Sequence, residues 1–161
     1  MKDIIIEHKS FNELTNEELY EIIELRTKVF ILEQKIYDCD ELDYKDQDAT
    51  HFLAKNSDSK VIGYMRVLNK GVYFKEHSFS RLAIRKEYRG YKLSLRLFKS
   101  ASIFVDNDTR INAQAYLKDY YEKIGFETIR GPYLLEGILH YEMLLRKGSL
   151  NQIEVEDEKI K

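Results

Sequence analysis

The chain has one cysteine, Cys39, in 161 residues, so an internal disulfide framework is excluded. Nothing in it approaches the ~18 consecutive apolar residues of a membrane span. Its N-terminus, Met1-Lys2-Asp3 followed by Ile4 to Ile6, has no apolar core of signal-peptide length, and a cytoplasmic protein without membrane partners is expected. Charge of one sign is also scarce. With 26 Lys and Arg against 28 Asp and Glu the formal net charge is -2, which gives no general attraction to nucleic acid; phosphate binding must come from a local site. Internal repeats are not visible. Cys39 sits in an acidic, polar stretch with no histidine or basic residue beside it, so nothing local lowers its pKa toward a reactive thiolate.

What is present is an ordinary globular balance, 43% hydrophobic and 34% charged residues, in a length that suits one domain. The domain is expected over residues 1–147, with 148–161 as a charged, loosely attached tail. Ile4 to Ile6 read as a strand. Thr15-Asn16-Glu17-Glu18 then reads as a capping box, and Leu19, Ile22, Ile23, Arg26, Val29 and Phe30 recur at helical spacing. Arg26 is the one charged member of that stripe. A carboxylate-dense loop follows, with Asp38, Asp40, Glu41, Asp43, Asp46 and Asp48.

His51 to Lys55 and Val61 to Leu68 predict a hairpin around the turn residues Asn56 to Ser59. Phe79 to Ile84 predict a further strand, and Leu93, Leu97, Ala101, Phe104 and Val105 a second amphipathic helix. Ile111 to Ala115 predict a strand, Leu117 to Ile124 a short helix stopped by Gly125, and Phe126 to Ile129 with Ile138 to Leu145 the last strands. The order is β-α-β-β-β-α-β-α-β-β, an α/β (α+β) fold with a mixed sheet.

The stretch Ser80-Arg81-Leu82-Ala83-Ile84, followed by Arg89-Gly90-Tyr91-Lys92-Leu93-Ser94, runs a strand into a basic turn at a helix start. Free amides and the positive end of a helix dipole converge there, which suits a diphosphate, with Arg89 and Lys92 adding charge. A solvated cap is the plainer reading. A second block, Asn112 to Phe126, ends in Tyr121-Glu122-Lys123-Ile124-Gly125-Phe126; periodicity places both Tyr120 and Tyr121 near the apolar stripe and does not choose between them. The acidic loop with His51 lacks both the calcium-loop pattern and any zinc spacing, so no metal is expected. A DNA-binding role for Arg81, Arg85, Lys86, Arg89, Lys92 and Arg96 is disfavoured by the acidic chain around them.

These blocks resemble the GNAT superfamily of acetyl-CoA-dependent N-acetyltransferases, and in particular its ElaA-like branch. Arg89, Lys92 and Ser94 fall on the pyrophosphate-loop pattern Arg/Gln-x-x-Gly-x-Gly/Ala, with Lys92 and Ser94 in place of its two small residues. The late block resembles the superfamily's strand and helix ending in Tyr-x-x-x-Gly-Phe, with Gln114 where many members have asparagine. Leu25-Arg26, Val29-Phe30, Glu33-Gln34, Glu41-Leu42-Asp43, His51, Gly137-Ile138, His140 and Met143 extend the likeness over residues 18 to 146.

The resemblance implies direct transfer of an acetyl group from acetyl-CoA, as co-substrate, to a primary amine of a small molecule or peptide. It implies donor contacts from Leu82, Ala83, Ile84, Arg89, Gly90, Tyr91, Lys92, Leu93, Ser94, Gln114 and Tyr121, with Tyr121 protonating the departing thiolate. The acceptor side would comprise Arg26, Phe30, Glu33, Gln34, Asp43, His51, Arg81 and His140. Glu33, His51 and His140 are the candidate bases, with Glu33 and His140 placed beside Tyr121 in the catalytic set. Arg26 serves either this cleft or a structural ion pair, and His140 is equally a satisfied strand histidine. A homodimer is compatible with this reading. The alternative is a non-catalytic acyl-CoA-binding or protein-interaction module of the same fold.

Overall fold

The computed structural model describes residues 4–90 and 92–150; Tyr91 and residues 151–161, which hold most of the expected tail, lie outside the described residues. Leu150, just before that boundary, is buried in the core. The strands are β1 (Ile5–Ser10), β2 (Ala49–Lys55), β3 (Val61–Leu68), β4 (His77–Ile84), β5 (Thr109–Gln114), β6 (Phe126–Leu135) and β7 (Ile138–Leu145), and the helices α1 (Asn16–Arg26), α2 (Leu93–Val105) and α3 (Lys118–Lys123). This is the expected order, with strand ends moved by a few residues and β6 much longer than Phe126 to Ile129.

The seven strands form one mixed sheet in the order β1-β2-β3-β4-β5-β7-β6. Every residue of β3 is buried, because helices cover both sheet faces. On one face Ile22, Leu25 and Val29 of the first helical segment meet Leu53, Val61, Tyr64 and Ala83. On the other, Leu93, Leu97, Phe98 and Ala101 of α2 meet Phe52, Ile62, Met65, Val67 and Phe79, and the cluster continues through Ile111, Tyr121 and Phe126. Gly63 sets how closely α2 approaches: a Cβ there would lie 3.1 Å from the Leu93 side chain and 3.3 Å from the Ala54 Cβ. The start of α2 therefore sits directly on the sheet.

The capping box forms as expected, Thr15 Oγ1 accepting from the Glu18 amide at 3.1 Å and the Glu18 carboxylate accepting from the Thr15 amide at 2.9 Å. The same carboxylate also accepts from Lys9 and Lys55, each at 2.6 Å. Burial raises the Glu18 pKa, but these donors outweigh it and hold it at about 2. Unforeseen in the sequence, α1 continues into a π-helical segment, Thr27–Glu33, a form often found at functional sites.

Two departures from regular sheet geometry make the site. β4 pairs with β5 in parallel only at His77–Thr109 and Ser78–Arg110, so beyond that vertex the strands diverge and their facing edges are unpaired. β4 also carries a bulge: Tyr64 pairs with Ala83 and Arg66 with Ser80, leaving Met65 opposite both Arg81 and Leu82. Arg81 takes a left-handed backbone, φ +55°, which is uncommon for a residue with a Cβ and characteristic of sites whose surroundings hold it in place.

Candidate active site

The divergence of β4 and β5 opens a cavity of about 290 Å³. Successive side chains of a strand point to opposite faces, yet both Ile111 and Asn112, and both Met65 and Arg66, line this space. It therefore passes through the sheet. On the α2–α3 face its wall is apolar, with Met65, Phe79, Leu82, Phe98, Leu117 and Tyr121; on the α1 face it is polar, with Gln34, Asp43, Ser80, Arg81, Asn112, Gln114 and His140.

Of the residues expected in the site, Phe30, Gln34, Asp43, Arg81, Leu82, Gln114, Tyr121 and His140 line this cavity, whereas Arg26, Glu33, His51, Ala83, Ile84, Arg89, Gly90, Lys92, Leu93 and Ser94 do not. Gln114 donates from Nε2 to Gln34 Oε1 at 3.1 Å, tying the end of β5 to the first helical segment. Tyr121 is 9% exposed and stacks edge-on against Phe98 and Phe126, with ring centroids 5.9 and 5.4 Å away. Burial pushes its phenol well above the ordinary tyrosine range, and Tyr120 and Tyr116 add to that. The neighbouring Tyr120 hydroxyl is instead paired with Ser94 Oγ at 2.7 Å. His140 is buried, and its Nδ1 lies 2.8 Å from the Ile138 carbonyl. A carbonyl only accepts, so Nδ1 donates in this contact, which fixes the tautomer whose lone pair lies on Nε2.

The acidic loop is only half solvated: Asp38, Asp40 and Asp48 are exposed, whereas Glu41, Asp43 and Asp46 turn inward. Arg26 and Arg66, each 1% exposed, draw it in. Arg26 donates to Glu41 from Nε and to Asp46 Oδ1 at 2.8 Å; Arg66 holds Asp43 through two bonds of 2.8 and 2.9 Å and reaches Asp46 at 2.9 Å. Arg81, on the bulge, completes the group with Glu41 at 3.1 Å and Asp43 at 3.5 Å. Three guanidiniums thus neutralise three carboxylates beneath the polar wall. Burial raises the Asp43 and Asp46 pKa values, and the arginines overcome it and hold both below the usual carboxylate range. Arg26 accordingly has the structural role left open for it by the sequence.

His51 belongs to the same structure. Its Nε2 donates to the Asp46 carbonyl at 2.9 Å and its Nδ1 accepts from Tyr64 at 2.7 Å, so both nitrogens are engaged, and burial lowers its pKa. Neither nitrogen is available to act as a base. Sequence reasoning passed over Arg66, although an arginine among Val61, Ile62, Met65 and Val67 is a recognisable signal of a buried partner. It also passed over the cavity residues Tyr73, Asn112 and Glu136. Cys39 lines the cavity too; burial, helped by the Glu136 carboxylate, raises its pKa to about 11, in keeping with an inert thiol.

At the start of α2, Gly90 and Lys92 have left-handed backbones, φ +86° and +53°, and the side chain of the N-cap residue Lys92 makes no capping hydrogen bond to the helix. Its first amides are thus left for water or an anion. Arg89 is committed elsewhere: it donates from Nε to the Ile84 carbonyl at 3.0 Å and grips Glu33 through two bonds of 2.8 and 3.0 Å. The Arg89 hydrogen bonds hold the Glu33 carboxyl below its ordinary pKa, so this residue is both outside the cavity and a weak base.

A sheet opened between a parallel fourth and fifth strand, a bulge on the fourth and an uncapped helix after it are matched by a family-level likeness over most of the chain: residues 11–147 fit the acetyltransferase (GNAT) domain. The chain is a GNAT family member. A UPF0039 protein of Synechocystis is 30% identical to it, over 84% of this chain and 91% of that protein. Among solved structures, an acyl-CoA N-acyltransferase from Pseudomonas aeruginosa superimposes with a TM-score of 0.79 at 29% identity, covering 88% of this chain and 99% of the other. Escherichia coli ElaA does so at 0.78 and 25%, covering 89% and 99%. The GNAT fold is that of an acyltransferase with acyl-CoA as co-substrate. No helix among the described residues is long and apolar enough to cross a membrane.

Proposed function

We propose that this GNAT chain moves the acetyl group of acetyl-CoA directly onto a primary amine within a ternary complex. The observation that carries this reading is the cavity through the sheet, with Tyr121 on its apolar side and His140 on its polar side, so that a thioester and an amine can meet in the gap between β4 and β5. Holding two reactants in line this way supplies roughly 7–11 kcal/mol of a barrier in well-oriented systems.

The unpaired edge of β4, at Leu82, Ala83 and Ile84, would hold the pantetheine arm by backbone hydrogen bonds and place an amide against the thioester oxygen as charge develops there. The open amides of α2 at Leu93 and Ser94, with Arg89, Gly90 and Lys92, would meet the diphosphate. CoA itself supplies the activated thioester. An alkylamine of pKa ~10 is almost wholly protonated at neutral pH, so a base is needed. We assign that task to His140 Nε2, because Glu33 and His51 are engaged elsewhere. Tyr121 then faces the leaving sulfur. Since the three arginines neutralise Glu41, Asp43 and Asp46, the pull of this loop on a cationic acceptor would come from the exposed Asp38, Asp40 and Asp48 and is weaker than the full carboxylate count implies.

The test is CoA release from acetyl-CoA against a panel of small-molecule and peptide amines, with Tyr121→Phe as control; turnover that collapses in the variant supports the assignment. The second reading, an acyl-CoA-binding module without turnover, is favoured by one observation, the engagement of Arg89 by Glu33, and cofactor binding with no turnover on any amine would establish it. That ion pair also yields a prediction. An exposed pair is worth about 0.2–1 kcal/mol, so Glu33→Gln, by releasing Arg89, is expected to tighten CoA binding up to about fivefold in calorimetry. If Glu33 itself contacted the cofactor or an essential proton, the variant would bind CoA no better, or worse.

A further inference from the structure

The cavity as a whole is larger than an acetyl group needs. The walls of its apolar side are Met65, Phe79, Phe98, Ile111, Leu117 and Tyr121, and the first four are at most 4% exposed. They belong to the main core, where interiors are normally packed to crystal density and voids are costly. Apolar cavities of ~150 Å³ stay dry and take up a six-carbon ligand such as benzene. This one, polar side included, is about 290 Å³, whereas an acetyl group brings three heavy atoms.

Direction is set by the two faces. The polar side carries the buried arginines and carboxylates, next to which an alkyl chain would strip water from charge without replacing it. The α2–α3 side offers hydrocarbon, the Met65 thioether and the Tyr121 ring, whose hydroxyl is its one polar atom. From the bulge at Arg81–Leu82 to the vertex at Ser78 the cleft runs three residues, or about 10 Å at ~3.3 Å each, which is room for a chain of several carbons.

We propose that this apolar half is an acyl-chain pocket, that the protein takes donors longer than acetyl, up to about six carbons, and that Ile111 and Phe98 set its depth. The inference rests on the acyl-CoA reading above and concerns only which acyl group is carried.

Binding tests it without knowledge of the acceptor. Calorimetric dissociation constants are measured for CoA, acetyl-CoA, butyryl-CoA and hexanoyl-CoA on the full chain, and for octanoyl-CoA on the parent and the Phe98→Leu variant. Hexanoyl-CoA is expected to bind at least about tenfold tighter than acetyl-CoA, a fraction of the roughly 250-fold that its four extra methylenes would bring if each were fully buried at about fourfold. Ile111→Phe fills the pocket and should bring the hexanoyl-to-acetyl ratio close to one, and Phe98→Leu should extend the gain to octanoyl-CoA. A merely structural effect of either variant would scale all the ligands alike and leave the ratio untouched. Affinity that is flat or falls with chain length overturns the pocket while leaving acetyl transfer intact, and so does a ratio that Ile111→Phe leaves unchanged. Absence of binding by every ligand, CoA included, overturns the acyl-CoA reading with it. Should a variant fail to fold, the chain-length series on the unmodified protein decides alone.

Discussion

Replacing Tyr121 with phenylalanine is expected to lower kcat for amine acylation about a hundredfold while leaving the fold and CoA affinity nearly unchanged. The reasoning starts from burial. With its ring packed against Phe98 and Phe126 and its pKa pushed upward, the phenol stays protonated throughout the working range. A thiolate, near pKa ~8.5 by analogy with cysteine, is a weaker base than such a phenolate, so complete proton transfer from Tyr121 is uphill. On the proposed mechanism the hydroxyl would instead donate a hydrogen bond to the charge developing on sulfur, while His140 takes the proton leaving the amine. General acid–base groups contribute about 10²–10⁴-fold, and this weak acid belongs at the lower end. The check is single-turnover kinetics across pH. The unmodified protein should show no loss of rate from tyrosine ionisation up to pH 10, and a variant as fast as the parent would remove Tyr121 from the mechanism.

Arg66→Ala is expected to cost stability heavily, about 3–5 kcal/mol, because it leaves Asp43 and Asp46 buried without a shared cation. At roughly 2–4 °C per kcal/mol for a chain of this size, the melting midpoint should fall by about 6–20 °C. The pH dependence follows from the sign of the shifts. Asp43 and Asp46 have folded pKa values below the ordinary one, so their contribution is complete above ~pH 4, where the unfolded carboxyls are ionised, and is lost as pH falls through the folded values. Without Arg66 the burial penalty on Asp43 is less opposed, its folded pKa rises, and acid unfolding should begin at higher pH. Melting curves from pH 3 to 8 on both proteins measure this. A variant that melts within 2 °C of the parent at pH 7 would mean that Glu41, Asp43 and Asp46 do not depend on the network.

The element order was legible because amphipathic periods and turn residues agree along most of the chain, as at Thr15–Glu18 and at the Asn56 turn. The site was legible only where a motif carried it. Tyr121 was chosen over Tyr120 by family likeness, and the structure separates them by partners, Tyr120 pairing with Ser94 while Tyr121 lines the cavity. Three features left no local trace. The bulge places a left-handed backbone at Arg81 with no glycine to announce it. The π-helical segment continues the helical spacing of α1 at Val29 and Phe30, so the period does not mark where it begins. The neutralisation of the loop depends on arginines 15 to 40 residues away in the chain, a pairing that charge counting along a loop cannot reveal. Conversely Glu33 and Arg89 were each assigned to different ligands, and only the fold joins them.

Because the two halves of the sheet are bonded through a single pair of short rungs at Ser78, the molecule has the mechanics of a clothes-peg. A rotation of about 5° at that spring, carried along an arm of six residues of ~3.3 Å, would move the jaw tips by close to 2 Å. Because one core runs under both jaws, the resistance to that opening comes from the packing of Phe98 against Tyr121 and Phe126 rather than from the rungs alone.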